Sequence, residues 1–379
     1  MHSKPIRHSL NLFSKKEKNV IVYIYVKALL KVKIILVLHG VTNISFLNTT
    51  KTKNKPTYRV ERYTHSHKAE WNNFISSAKN ATFLFNRNFM DYHSDRFEDF
   101  SVMVYKDEKL YAVLPANKKN DGIISHQGLT YGSFVLQEKA KLLYAFDAFK
   151  SILTFLYSEG IKTLDIRIIP TFYNTLPADE LAYFLFKANA TLVKRDVLMV
   201  IDYANKLKFQ KNRREGINKA IRNELIVQVD DNYDGFWNEI LIPNLQKKHG
   251  VNPVHTLEEI KMLASRFPKQ IKQVNVYKGD KIVAGTTVFL TKTTVHPQYV
   301  SGNIDKNTYG SLDLEYDFII NHFQEGKRYF DFNISSEENG KHLNEGLIFW
   351  KESCGARTFT ADNYVVDTAC YKNLDLSLI

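Results

Sequence analysis

Two stretches of the chain read alike: Val104-Tyr105-Lys106-Asp107-Glu108-Lys109-Leu110-Tyr111-Ala112 and Val276-Tyr277-Lys278-Gly279-Asp280-Lys281-Ile282-Val283-Ala284. Each joins two runs of β-branched, aromatic and aliphatic residues through a two-residue turn, Asp107-Glu108 or Gly279-Asp280, and so predicts a β-hairpin. Two further matches follow in the same order. Thr130-Tyr131-Gly132-Ser133 answers Thr308-Tyr309-Gly310-Ser311, and the helix end Glu159-Gly160 answers Glu325-Gly326, with Asp165 and Asp331 closing the strands that follow. The offsets, 172, 178 and 166 residues, differ by no more than a loop insertion. Three ordered matches predict a duplicated unit.

Working outward, each copy reads as helices, a hairpin, a strand, a loop, a long helix and another strand. In the first copy Leu142, Leu143, Phe146, Phe149, Ile152, Leu153 and Leu156 recur at helical spacing and Gly160 ends the run. In the second, Leu312, Tyr316, Ile319, Ile320 and Phe323 do the same before Gly326. These stripes are core packing. The succession predicts an α/β (α+β) fold of two tandem domains, each a mixed, mostly antiparallel sheet flanked by helices. The expected boundaries are a leader and linker over 1–56, a first domain over 57–205 and a second over 206–379. A length of 379 residues suits two domains, and 44% hydrophobic residues supply their cores.

The formal charge of +12 is unevenly placed. Residues 1–55 hold ten lysines and one arginine against the single acid Glu17, so the remainder of the chain carries only +2. A nucleic-acid binder spreads basic charge over a folded face. Here the excess lies in a leader, which argues against a DNA-binding protein. Val20 to Leu38 approaches the length of a membrane span, but Lys27, Lys31 and Lys33 interrupt it. It is expected to be a loosely ordered extension, and any membrane contact is confined to it. Two cysteines, Cys354 and Cys370, build neither a disulfide framework nor a four-thiolate zinc site. Reduced thiols suit a cytoplasmic protein.

The repeat, together with Phe330-Asp331-Phe332-Asn333, Leu347-Ile348-Phe349-Trp350-Lys351 and Cys354-Gly355-Ala356, resembles tandem GNAT proteins of the Fem type, the peptidoglycan-bridge transferases. The similarity spans roughly residues 58–372. The last stretches are similar to a strand ending in an Asp-Phe-Gly-like turn and a helix running into a Lys-x-x-x-Gly-like turn. Leu114-Pro115-Ala116 and His126-Gln127-Gly128-Leu129-Thr130-Tyr131-Gly132 resemble the first half of GNAT-like proteins of bacterial envelope polysaccharide synthesis.

What the resemblance implies is an N-acyltransferase. Its donor would be acetyl-CoA as co-substrate, with no metal, and its acceptor an amine of a sugar or peptidoglycan-type precursor. Asn303, Gly310 and Ser311 would hold the donor, Ser311 capping a helix whose N-terminus faces the pyrophosphate. The loop Asn307-Thr308-Tyr309-Gly310-Ser311 departs from the usual GNAT form: it has one glycine, no arginine, and Asp313 and Glu315 in the following turn, which repel a phosphate. Acyl transfer to an amine needs a proton acceptor, an oxyanion donor and a proton donor for the leaving group. Asp331 or Glu337 would take the proton, Asn333 would face the oxyanion, and Tyr309 or Tyr364 would protonate the leaving thiolate. Tyr131, Lys351 and Tyr364 would contact the acceptor.

The segment Lys211 to Arg222, with Arg213, Arg214, Lys219 and Arg222, predicts a helix with a basic face. It suits the alternative of a Fem-type enzyme drawing its acyl group from aminoacyl-tRNA. A third alternative is a non-catalytic binding module. No Walker loop, dinucleotide fingerprint, nucleophile elbow or HExxH pair is present.

Overall fold

In the computed structural model both hairpins form. Strands β1 (Tyr58–Arg62), β2 (Val102–Lys106) and β3 (Lys109–Leu114) lie side by side, and Asp107 and Glu108 close the β2–β3 turn with φ of 48° and 61°. Positive φ at both turn positions matches the twist of the flanking strands. The structure describes residues 56–376. The basic leader and its apolar run Val20 to Leu38 lie outside the described residues.

The chain continues through β4 (Asn117–Lys119), β5 (Gly122–Ile124), β6 (Val135–Leu136) and helix α1 (Leu142–Ser158) to β7 (Thr163–Arg167), then through α2 (Glu180–Lys187) to β8 (Thr191–Asp202). The second half opens with α3 (Lys211–Arg222), β9 (Ile226–Asp230) and two helical stretches over 233–249 and 257–266. It proceeds through β10 (Ile271–Lys278), β11 (Lys281–Leu290), β12 (Thr294–Gly302), α4 (Ser311–His322), β13 (Tyr329–Ile334), α5 (Glu345–Ser353) and β16 (Arg357–Asp367), with the small hairpin β14 (Ser336–Glu337) and β15 (His342–Leu343) before α5.

The two halves share one strand order. In the second it is β9-β10-β11-β12-β13. In the first, β3 and β4 form the interrupted counterpart of β11, broken at Pro115, and β6 and β5 that of β12, giving β1-β2-β3/β4-β6/β5-β7. Each hairpin carries a bulge at the same place, between Val104 and Tyr105 and between Val276 and Tyr277. In each half the last two strands of the run are parallel, β5 with β7 and β12 with β13.

The final strand of each half crosses to the other. Strand β16 pairs with β7 of the first half, β8 pairs with β13 of the second, and β8 and β16 pair antiparallel between them. Ten strands thereby join in one sheet. Two expectations change. Gly132 lies in the loop before β6, whereas Gly310 follows β12, so the Tyr-Gly-Ser match is coincidental: the first half holds extra residues between β5 and β6. In α1, Leu142 and Leu143 are exposed, while Phe146, Phe149, Ile152, Leu153 and Leu156 form the buried stripe.

Candidate active site

Strands β12 and β13 pair through Thr294–Tyr329 and Val295–Phe330, and then separate. His296 and Asp331 are the first residues beyond the pairing, and they bridge the opening: His296 Nδ1 lies 3.1 Å from Asp331 Oδ2. Tyr173, from the short helix after β7, donates its hydroxyl to the same carboxylate oxygen at 2.7 Å. The backbone N–H of Asn333 donates to Oδ1 at 2.7 Å. Asp331 is buried with its charge met by three donors, two of them supplied by distant segments. On the far side of the imidazole, His296 Nε2 is 3.2 Å from the Gln298 side chain. With Nδ1–H given to Asp331, the other ring nitrogen carries the lone pair, and the Gln298 amide NH₂ is the group that can donate to it.

A cleft of about 300 Å³ opens on the Asp331 side. Asp331, Asn333 and Ile334 come from β13, Arg167 from β7, Lys194 and Asp196 from β8 and Asp362 from β16, so both halves build it. Lys194 pairs with Asp196 at 2.7 Å, and Arg195 holds Asp362 through two nitrogens at 2.6 and 2.8 Å. Arg167 donates to the Leu129 carbonyl at 3.3 Å and has no ion pair among the described residues, which leaves a cation facing the cleft. The roof is the loop between β5 and β6, with Leu129, Thr130 and Tyr131. A second cavity, of about 210 Å³, lies beyond this loop, where Gln298 faces Gln127, Gly128 and His255.

The tyrosines act as fixed donors. Burial, then the charge of Asp331, raises the Tyr173 pKa well above its ordinary value, so its proton stays on the hydroxyl. Tyr131 is buried, donates to Thr82 Oγ1 at 2.9 Å and packs 4.7 Å from the Tyr173 ring. Burial raises its pKa too.

Lys351 is also buried. Its Nζ donates to the carbonyls of Asn333 and Ile334 at 3.0 and 2.7 Å and to Ser335 Oγ at 2.9 Å. These three bonds use all the donors of an ammonium. The lysine therefore holds the end of β13, where Asn333 adopts φ of 69°, in place of the expected reach toward an acceptor. Burial pushes its pKa down to about 8. Asn333 Oδ1 accepts from Ile334 N at 2.7 Å, which leaves its NH₂ to donate toward the cleft.

The remaining candidates lie apart from this centre. Asn303 and the loop to Ser311 follow the far end of β12, and His296 to Gly302 spans roughly 20 Å at strand rise. Asn303 Oδ1 accepts from Asp305 N at 3.0 Å and so forms a turn. Gly310, with φ of 73°, is the N-cap of α4, and Ser311 is its first helical residue, so the expected capping by Ser311 is replaced. The Ser311 hydroxyl is buried without a partner. Helix α3 packs across this N-terminus: a Cβ at Gly310 would collide with the Gly216 carbonyl. Arg213 pairs with Asp313 at 2.6 Å in the first turn of α4. Tyr309 lies under Lys278, whose Nζ is 4.0 Å from the ring centre. Glu337 is exposed and accepts from Asn344 at 2.7 Å. Tyr364 packs on the first half's core, its hydroxyl 3.4 Å from Asp362.

Of the residues singled out in the sequence, Asp331, Asn333 and Tyr131 line this cleft and Lys351 holds the backbone at its edge, whereas His296, Gln298, Tyr173 and Arg167, which the structure brings to the same place, were not singled out. His296 carried no spacing motif. A histidine opposite Asp331 follows only from the parallel register of β12 and β13. Among the described residues no cluster of three or more His, Cys, Asp or Glu is placed to hold a metal, and no helix is long and apolar enough to cross a membrane.

Splayed parallel strands, doubled and joined by exchanged final strands, make a GNAT-like fold in tandem, and the chain resembles the Fem-type proteins in this arrangement. The solved structure of FemX is similar over 83% of this chain and 99% of its own, with a TM-score of 0.57 and 10% identity. A conserved protein of unknown function from Bacteroides thetaiotaomicron is similar over 82% of this chain and 100% of its own, with a TM-score of 0.53 and 12% identity. A tandem GNAT protein from the clavulanic acid biosynthesis pathway aligns over 83% of this chain and 99% of its own, with a TM-score of 0.43 and 9% identity. No protein-family profile and no curated protein matches the chain.

Proposed function

We propose that the protein is an N-acyltransferase that moves an acyl group onto the amine of a sugar or peptidoglycan-type precursor in the cytoplasm. The observation that carries this reading is the buried Asp331 at the splay of β12 and β13, tied to His296 and Tyr173 and opening on a cleft built by both halves. The acceptor's ammonium gives its proton to the Asp331–His296 pair, which is held in place by the Tyr173 hydroxyl. The freed amine attacks the acyl carbonyl, the Asn333 NH₂ donates to the oxyanion, and collapse of the tetrahedral intermediate breaks the acyl–carrier bond, the carrier's oxygen or sulfur leaving as it takes up the second proton of the amine. Arg167 meets a carboxylate or phosphate of the acceptor.

The donor's carrier is read from the N-terminus of α4. Helix α3 packs against this N-terminus, Arg213 pairs with Asp313 in its first turn, and α3 exposes Lys211, Arg214, Lys219 and Arg222 along a basic face. This favours an aminoacyl ester on tRNA, whose phosphates lie along such a face. Acetyl-CoA is the second reading. It is supported by the unpaired edge that β12 presents beyond Val295 on its β13 side, where a pantetheine arm can add as a strand.

The test gives the full chain either acetyl-CoA or aminoacyl-tRNA with an amine-bearing muropeptide or amino-sugar acceptor. Mass spectrometry then looks for the added acyl mass. Aminoacyl transfer that weakens steeply with salt supports the first carrier, and acetyl transfer supports the second. A chain that binds neither donor, by melting temperature, and transfers nothing is the non-catalytic binding module.

A further inference from the structure

On the other side of Thr82 from the cleft lies a cavity of about 420 Å³ that the proposed reaction does not use. Ile75 and Phe83 from the first half and Phe267 and Leu290 from the second give it an apolar wall, beside the neutral polar Ser76, Thr82, Asn86, Gln270 and Thr291. Three lysines, Lys269, Lys292 and Lys327, line it as well, and no acidic side chain does. None of the three has an ion pair among the described residues. Two are anchored by carbonyls: Lys292 Nζ donates to Ser76 O and Lys327 Nζ to Thr291 O. An ammonium has three donors, so each anchored lysine keeps two. Lys327 is half-buried, and burial lowers its pKa, the response of a desolvated cation without a counter-charge.

This combination selects a ligand class. A bare phosphate gains nothing from Phe83 and Phe267, and a neutral hydrocarbon leaves three cations unmet. A cationic body meets like charge. We propose that the cavity between the halves binds an amphipathic organic anion, with its carboxylate among Lys269, Lys292 and Lys327 and its acyl or aryl body against Phe83 and Phe267. The volume falls within the usual range of small-molecule sites and accommodates a body of about ten carbon atoms.

The test titrates decanoate into the full-length protein by calorimetry, beside decanol, decyltrimethylammonium and inorganic phosphate. The expected result is saturable binding of one decanoate per chain, with the other three weaker by about tenfold or more. The double variant Lys292→Glu/Lys327→Glu should lose decanoate binding by at least about tenfold at an unchanged melting temperature. A second measurement uses wild-type protein alone: decanoate should slow amine-reactive labelling of Lys292 and Lys327, read by peptide mass spectrometry. Unsaturable decanoate binding, phosphate binding as tightly as decanoate, or undiminished labelling of these two lysines overturns the proposal. Retention of decanoate affinity by the folded charge-reversed variant overturns it as well.

Discussion

Asp165 and Asp331 occupy the same place in the two halves, each on the strand that runs parallel to its half's splayed partner. Their surroundings differ. Asp165 is opposite Ile124 in the β5–β7 ladder, and its Oδ1 is buried without a hydrogen-bond partner. Asp331 is opposite His296 and receives three donors. The two scaffolds are alike, and one aliphatic-to-imidazole difference across a strand gap gives only the second aspartate the His296 partner that the proposed proton transfer uses. The first half supplies the loop that roofs the cleft, the Tyr173 hydroxyl and the Arg167 cation.

The comparison is broken most directly at the two aspartates. Asp331→Asn is expected to cut turnover by about 10²-fold or more with little change in donor affinity, whereas Asp165→Asn leaves turnover near wild type. Steady-state kinetics on both, with folding checked by circular dichroism, decides it: equal losses would erase the distinction between the halves. His296→Ile writes the first half's residue into the second. It should cost about tenfold in turnover. Turnover unchanged in the folded variant would remove His296 from the proton transfer and leave Asp331 alone.

A third prediction sharpens the contrast between the long helices. Helix α1 buries only apolar side chains, whereas α4 buries Glu315 with neither carboxylate oxygen hydrogen-bonded. Burial raises the Glu315 pKa to about 8. Between its ordinary value of 4.5 and about 8 the folded chain keeps a proton that the unfolded chain releases, so stability falls as pH rises through that window and levels off above it. Glu315→Gln should abolish this slope and stabilise the protein by a few kcal/mol at pH 8.5, on the order of the shift itself. Chemical denaturation at pH 5 and 8.5 measures it, and an unchanged pH dependence would refute the assignment.

A fourth prediction concerns the place where the halves meet. His93 and His126 of the first half stack at 4.8 Å, and Tyr92 stacks on His255 of the second at 5.0 Å. Burial pushes their pKa values down to about 4, 3 and 4 for His93, His126 and His255. The unfolded chain takes up protons below the ordinary 6.5 while the folded one does not, so stability is complete above 6.5 and declines toward pH 4. Melting curves from pH 7 to 4.5 should show this decline, reduced in His126→Asn. An identical decline in that variant would remove His126 from the account.

The hairpins were legible because turn chemistry and alternation act within ten residues. The stripes of Phe146 to Leu156 and Tyr316 to Ile320 were legible for the same local reason. Asp331 and Asn333 stood out as polar residues closing an apolar strand. Tyr173 was not legible: it meets Asp331 from 158 residues away, and no local pattern encodes that approach. The Tyr-Gly-Ser match misled because three residues recur by chance and loops do not preserve register. Lys351 was singled out by its position, but only the fold shows that its three donors are consumed.

The crossing of β8 and β16 has a consequence for synthesis. As the chain leaves the ribosome, β7 emerges some 190 residues before the strand that will lie beside it, because β16 spans Arg357–Asp367. Until then the first half exposes an open sheet edge, and β8 is displayed as a strand awaiting β13. Neither half can be cut out as a self-sufficient module: a stop codon after β8 leaves one sheet edge bare and one strand unhoused. Completion of the fold waits for the last strand translated, so a nascent chain truncated before Arg357 should remain a substrate for chaperones and proteases.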